Sequence, residues 1–130
     1  MASVAPPAVL IVDSDHSSRR FMRETLVRAG YVTVEARSAE HAQAVVLTYP
    51  GTLKLVILEI VMPNGGGLDF ANHLAMVLPS AKILYVSAFV DSVAVASIIA
   101  QAPQAILAKP ISARQLLARV RQLIGEPAAD

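Results

Sequence analysis

At 130 residues, with 55% hydrophobic and 16% charged, the chain is long enough for one folded core and too apolar for a disordered one. It has no cysteine, which excludes disulfides and thiolate metal sites, and its formal net charge of +1 supplies no general basic field for nucleic acid or an acidic membrane. The segment Met1 to Val12 lacks the positive flank of a signal peptide, and the longest uncharged run, Ser92 to Ala108, is shorter than the roughly 20 residues that span a bilayer. A soluble cytoplasmic protein is expected, with no membrane partner and no direct nucleic-acid binding.

Apolar runs and helical patterns alternate along the chain. Ala8–Val12 reads as a first strand, followed by a helix that begins within His16–Ser18 and stops at Gly30, a glycine just past the helix end. Val32–Ala36 is the second strand. Ser38 is placed to cap the next helix, which carries Ala42, Val45, Val46 and Tyr49 at helical spacing. Leu55–Leu58 is the third strand, and a helix from near Gly67 follows with Leu68, Ala71, Leu74 and Leu78 as its apolar stripe before Pro79. Ile83–Val86 is the fourth strand, and the helix after it opens at Asp91. Ala105–Ala108 is the fifth strand. The last helix has the clearest start: Ser112 and Gln115 form a capping box, Ile111 and Leu116 a hydrophobic staple, and Gly125 ends it.

The first, third, fourth and fifth runs are continuously apolar, as parallel strands covered on both faces require. Strict alternation of strand and helix implies a parallel, doubly wound sheet. The expected organisation is one domain over residues 1–130, with its core at about 8–124 and 125–130 as a tail or linker stub. Functional groups in such sheets gather beyond the carboxyl ends of the strands. The residues there are Asp13–Ser14–Asp15, Glu59, Ser87 and Lys109–Pro110.

Those positions, together with Met62–Pro63, Gly67, Ala88, Arg19, Gly30–Tyr31 and the stretch from Ser38 to Ala42, resemble the receiver domain of bacterial response regulators. The resemblance runs from about Val9 to Ile124. It implies a flavodoxin-like (βα)5 fold with strand order 2-1-3-4-5, and a cis bond between Lys109 and Pro110. It also implies a pocket in which two adjacent acids and a strand-3 aspartate hold magnesium, and the aspartate accepts a phosphoryl group. A hydroxyl after strand 4 and a lysine after strand 5 bind the phosphoryl oxygens, so Ser87 and Lys109 take those places, and Ile106 takes that of an inward-packing aromatic. Partners implied are a sensor kinase or an output domain, and no enzyme activity with catalytic residues of its own is expected.

Three positions depart from the pattern. The phosphoacceptor position is Glu59, whose carboxylate sits roughly 1.5 Å farther out than an aspartate's. In-line transfer tolerates that poorly, since a misplacement near 1 Å can cost on the order of a hundredfold in rate. The second acid of the adjacent pair is Ser14, which removes a charged ligand from the acidic pocket around Asp13, and the switch aromatic is Ile106. Asp13 and Glu59 remain as metal ligands in doubt, so magnesium is expected to bind weakly or not at all. The longer Glu59 can instead reach Lys109 or Ser87.

Three readings of Glu59 stay open: a pocket kept only for folding, a permanent stand-in for the phosphorylated state, and a working phosphoacceptor using magnesium. A pseudo-receiver that senses a small molecule is a further alternative. His16, His41 and His73 show no metal-ligand spacing, and Gly65–Gly66–Gly67 reads as a flexible loop, lacking the lysine of a phosphate-binding loop. Arg114, Arg119 and Arg121 read as a solvated face of the last helix. The uncharged fourth helix, with Ile98 and Ile99, suggests a contact surface. The family resemblance makes helix 4, strand 5 and helix 5 a homodimer face.

Overall fold

Continuous burial picks out the middle of the sheet. In the computed structural model, which describes residues 5–63, 65–88, 93–101 and 105–127 and, within these, side chains other than those of 93, 94 and 99, strand β1 (Ala8–Val12) is buried along its whole length. Chain order then gives α1 (His16–Arg28), β2 (Thr33–Ala36), α2 (Ala39–Thr48), β3 (Leu53–Glu59), α3 (Gly67–Val77), β4 (Lys82–Ser87), α4 (Val93–Gln101), β5 (Ile106–Ala108) and α5 (Ala113–Ile124). The five strands are parallel in the order β2-β1-β3-β4-β5. This is the order expected of a flavodoxin-like (βα)5 fold.

Because side chains alternate across a strand, the apolar runs feed two cores. Leu10, Val12, Val56 and Leu58 pack with Phe70, Ala71 and Leu74 of α3 and Ala42 of α2. Val9, Ile11, Leu55, Ile57, Leu84 and Val86 pack with Met22 and Leu26 of α1 and with Leu116 and Val120 of α5. Burying each such side chain contributes roughly 1.5–3 kcal/mol, so both faces of the sheet are firmly covered.

The helix ends follow their local chemistry. Gly30 takes a φ of 101° just beyond α1. Ser38 accepts the His41 N–H, and at α5 Ser112 and Gln115 form the reciprocal capping box. In α3 the apolar stripe is shifted from expectation: Leu68 is exposed and Phe70 is buried in its place. The helix starts directly at Gly67, so its inward face runs through residues 70, 71 and 74. Gly67 is also no free hinge. A Cβ there would lie 2.5 Å from the Ile60 carbonyl oxygen, so the backbone after β3 passes too close for any side chain. The expected opening of the fourth helix at Asp91 and the side chain of Ile99 lie outside the described residues.

Candidate functional site

Strands β1 and β3 end side by side, Val12 opposite Leu58, and each delivers an acid at its carboxyl end. Asp13 is 1% exposed and Glu59 5% exposed. Lys109 enters from the loop after β5, where the Lys109–Pro110 bond is cis as expected and the Lys109 N–H donates to the Ser87 carbonyl at 2.9 Å. Its ammonium lies between the two acids, 2.8 Å from Asp13 Oδ2 and 2.9 Å from Glu59 Oε1. Sequence reasoning paired Lys109 with Glu59. The equally short contact with Asp13 joins residues 96 apart in sequence, and only the strand order brings them together.

The remaining carboxylate oxygens are also engaged. Asp13 Oδ1 accepts the Asp15 N–H at 2.9 Å, and Glu59 Oε2 accepts the Val61 N–H at 3.4 Å. The first bond closes a local turn in which Ser14 is exposed. Ser14 carries no charge to add to the acid beside it. Nor does it cap α1, whose N-cap is Asp15. Ser87 is fully buried at the end of β4, and Ile106 is half-buried at the start of β5, opposite Tyr85.

Two carboxylates share one ammonium, so with both ionised one negative charge is left over at a buried site. Burial pushes the Glu59 carboxyl above its ordinary 4.5, with Lys109 opposing that shift and Asp13 adding to it. Burial works against the Lys109 ammonium as well. There the hydrogen bonds to Asp13 and Glu59 prevail and hold it above the ordinary 10.5.

A magnesium ion takes hard oxygen ligands in near-octahedral geometry at about 2.0–2.1 Å. The donor set does not fit one. Lys109 occupies the space between Asp13 and Glu59, Ser14 supplies no negative charge, and no cluster of three or more acids or histidines among the described residues could hold a metal. The histidines His16, His41 and His73 are exposed on α1, α2 and α3.

One contributor was not recognised as such from sequence. Arg19 of α1 donates to the Asp13 carbonyl oxygen at 2.7 Å and to Glu35 of β2 at 3.2 Å. An arginine two turns from an edge-strand glutamate has no short-range signature. Arg19 stood in the sequence only as one of the positions that carry the family resemblance.

Residues 9–121 match the family described as "Response regulator receiver domain". Protein PetR of Rhodobacter capsulatus is 27% identical over 124 residues, which cover 95% of this chain and 51% of PetR. Response regulator MprA of a Mycobacterium species is 32% identical over 127 residues, covering 96% of this chain and 54% of MprA. CpdR of Brucella abortus, a response regulator receiver protein, is 24% identical over 116 residues, covering 89% of this chain and 95% of CpdR. The chain thus spans about half the length of PetR and MprA and nearly all of CpdR. Among solved structures, TrrA of Thermotoga maritima, in complex with Mg(2+)-BeF, superposes with a TM-score of 0.75 at 26% identity, over 91% of this chain and 99% of TrrA. Chemotaxis protein CheY4 of Vibrio cholerae gives 0.77 at 24% identity over 92% and 100%, a likeness of fold.

Proposed function

The chain belongs to the response regulator receiver domain family, and from that premise we propose a two-component receiver that signals without ordinary phosphoryl transfer. The observation that carries this reading is the Lys109 ammonium held at 2.8 and 2.9 Å from Asp13 and Glu59. Phosphoryl transfer demands an in-line acceptor and cationic neutralisation of the charge spread over the transferring group. Here the acceptor is one methylene too long. The cation that should meet the phosphoryl oxygens is already engaged, and the exposed Ser14 supplies no charged metal ligand. Truncating one partner of so buried a pair strands the others, which supports a fixed resting state over a switch that opens at each cycle.

Output on this reading passes through protein contacts. The outer surface of α4 supports this, because its described exposed residues, Ala96, Ser97, Ala100 and Gln101, are small and uncharged. The partners proposed are a sensor kinase or an output domain, and a second copy of the chain across α4, β5 and α5.

Calorimetric titration tests the pocket. Magnesium, alone or with beryllofluoride as a phosphoryl mimic, should give no saturable binding at physiological magnesium. Saturation there would overturn the reading, because Lys109 would then have yielded its place.

A further inference from the structure

We propose that Arg19, braced by Glu35, is the positioning residue of this pocket: it fixes the main chain of Asp13 so that the Asp13 carboxylate stays on Lys109. The need arises where the sheet runs out. The Asp13 N–H still reaches strand β2, donating to the Ala36 carbonyl at 3.1 Å, but the Asp13 carbonyl lies past the last paired residue of that strand. A buried carbonyl without a strand partner must find another donor. Arg19 Nη1 supplies it at 2.7 Å, while its Nε binds Glu35 Oε1 at 3.2 Å.

Glu35 is itself held. Its second oxygen accepts from Arg23 at 2.9 Å, so the acid is gripped by two guanidinium groups, and Arg19 is only 15% exposed. A third donor of Arg19, Nη2, faces His16 Nδ1 at 3.3 Å, where the imidazole nitrogen must accept. Both ends of the Asp13 peptide unit are therefore tied to β2, one through Ala36 and one through the Arg19–Glu35 pair. With the backbone set, the carboxylate has little choice. One oxygen takes the Asp15 N–H and the other faces Lys109. A lysine at position 19 could not do the same work, because a single ammonium lacks the rigid fork that reaches a carbonyl and a carboxylate at once.

This inference rests on the Lys109 bridge being the resting state, and one experiment separates the two. Brief acylation of the intact chain with an amine-reactive ester, followed by peptide mass spectrometry, compares Lys109 with Lys54 and Lys82, which serve as internal standards. In the unmodified protein Lys109 should react far more slowly than either standard. If it does not, the bridge is absent and the functional reading fails with it. With protection established, Arg19→Met should raise the relative reactivity of Lys109 several-fold, towards that of Asp13→Asn, and Arg19→Lys should recover little of it. Glu35→Gln should give an intermediate rise. Ser112→Ala, which weakens the distant α5 cap, controls for general loss of stability and should leave the Lys109 ratio unchanged. Unchanged Lys109 protection in folded Arg19→Met would overturn the proposal and leave Arg19 as a carbonyl partner alone, as would an equal rise in Ser112→Ala.

Discussion

Lys109 bridges the two acids at the carboxyl ends of β1 and β3, and the consequences of removing it follow from burial. Lys109→Met leaves Asp13 and Glu59 facing each other with no cation, at a cost of about 3–5 kcal/mol near neutral pH. The sign with pH is fixed by Glu59. Its folded pKa lies above its ordinary 4.5, so between those two values the native state holds more protons than the unfolded chain and stability falls as pH rises. Removing the ammonium widens that window, so the deficit of Lys109→Met relative to the parent should shrink as pH falls from neutral towards 4.5. Lys109 acts at the other end of the scale. Its stabilisation is complete below 10.5 and is lost as pH rises through its higher folded value, a loss the methionine variant should lack. Thermal melts of both proteins across the pH range measure the two trends. A deficit that does not depend on pH would mean that the carboxylates are not paired with Lys109.

Elements position these residues, and some of them were readable in the letters. Four residues of the α5 cap, with Ile111 and Leu116 beside it, were enough to locate the helix start, because capping is chemistry within one turn. The strands were equally plain, since β1 and β3 must be apolar on both faces. What escaped was set by packing at a distance. Leu68 looked like core, yet in a helix that starts at Gly67 as expected it is Phe70 that lies on the buried face. The letters Asp13–Ser14–Asp15 did not say which acid meets Lys109, and it is Asp13 that does, its other oxygen taking the Asp15 N–H. Gly65–Gly67 read as a flexible loop, yet Gly67 is pinned against the Ile60 carbonyl. Its neighbours Gly65 and Gly66, at φ values of 70° and 85°, keep the turn chemistry that glycine allows. Gly67→Ala should therefore cost on the order of 1–3 kcal/mol in denaturant unfolding, as overpacking does. A neutral effect would show that the segment after Glu59 can give way.

At the scale of the molecule, charge is sorted by face. Seven of the eight arginines lie on α1 and α5, whereas residues 41–53 and 70–81, which carry most of α2 and α3, contain no acid, lysine or arginine. The net charge of +1 hides that asymmetry. The self-association proposed across α4, β5 and α5 would rest on the small uncharged residues of α4, so Ala96→Glu should weaken it, placing a like charge near its own copy across a two-fold contact. Ile98 is half-buried, which makes Ile98→Glu a test of folding as much as of contact. Sedimentation at high concentration distinguishes these. A parent protein that stays monomeric would remove the homodimer and leave only unlike partners for α4.

The central claim is that the pocket is closed to phosphoryl transfer by its own residues, and incubation with a small phosphodonor followed by intact mass tests it most directly. The unmodified chain should carry no phosphoryl adduct. Glu59→Asp restores the acceptor's reach without a metal ligand, and Ser14→Asp restores a ligand without the reach, so each alone should label poorly. The double variant should gain more than the sum of the two free-energy effects, since groups that act as one unit are not additive. Robust labelling of the unmodified protein at Glu59 would contradict the account.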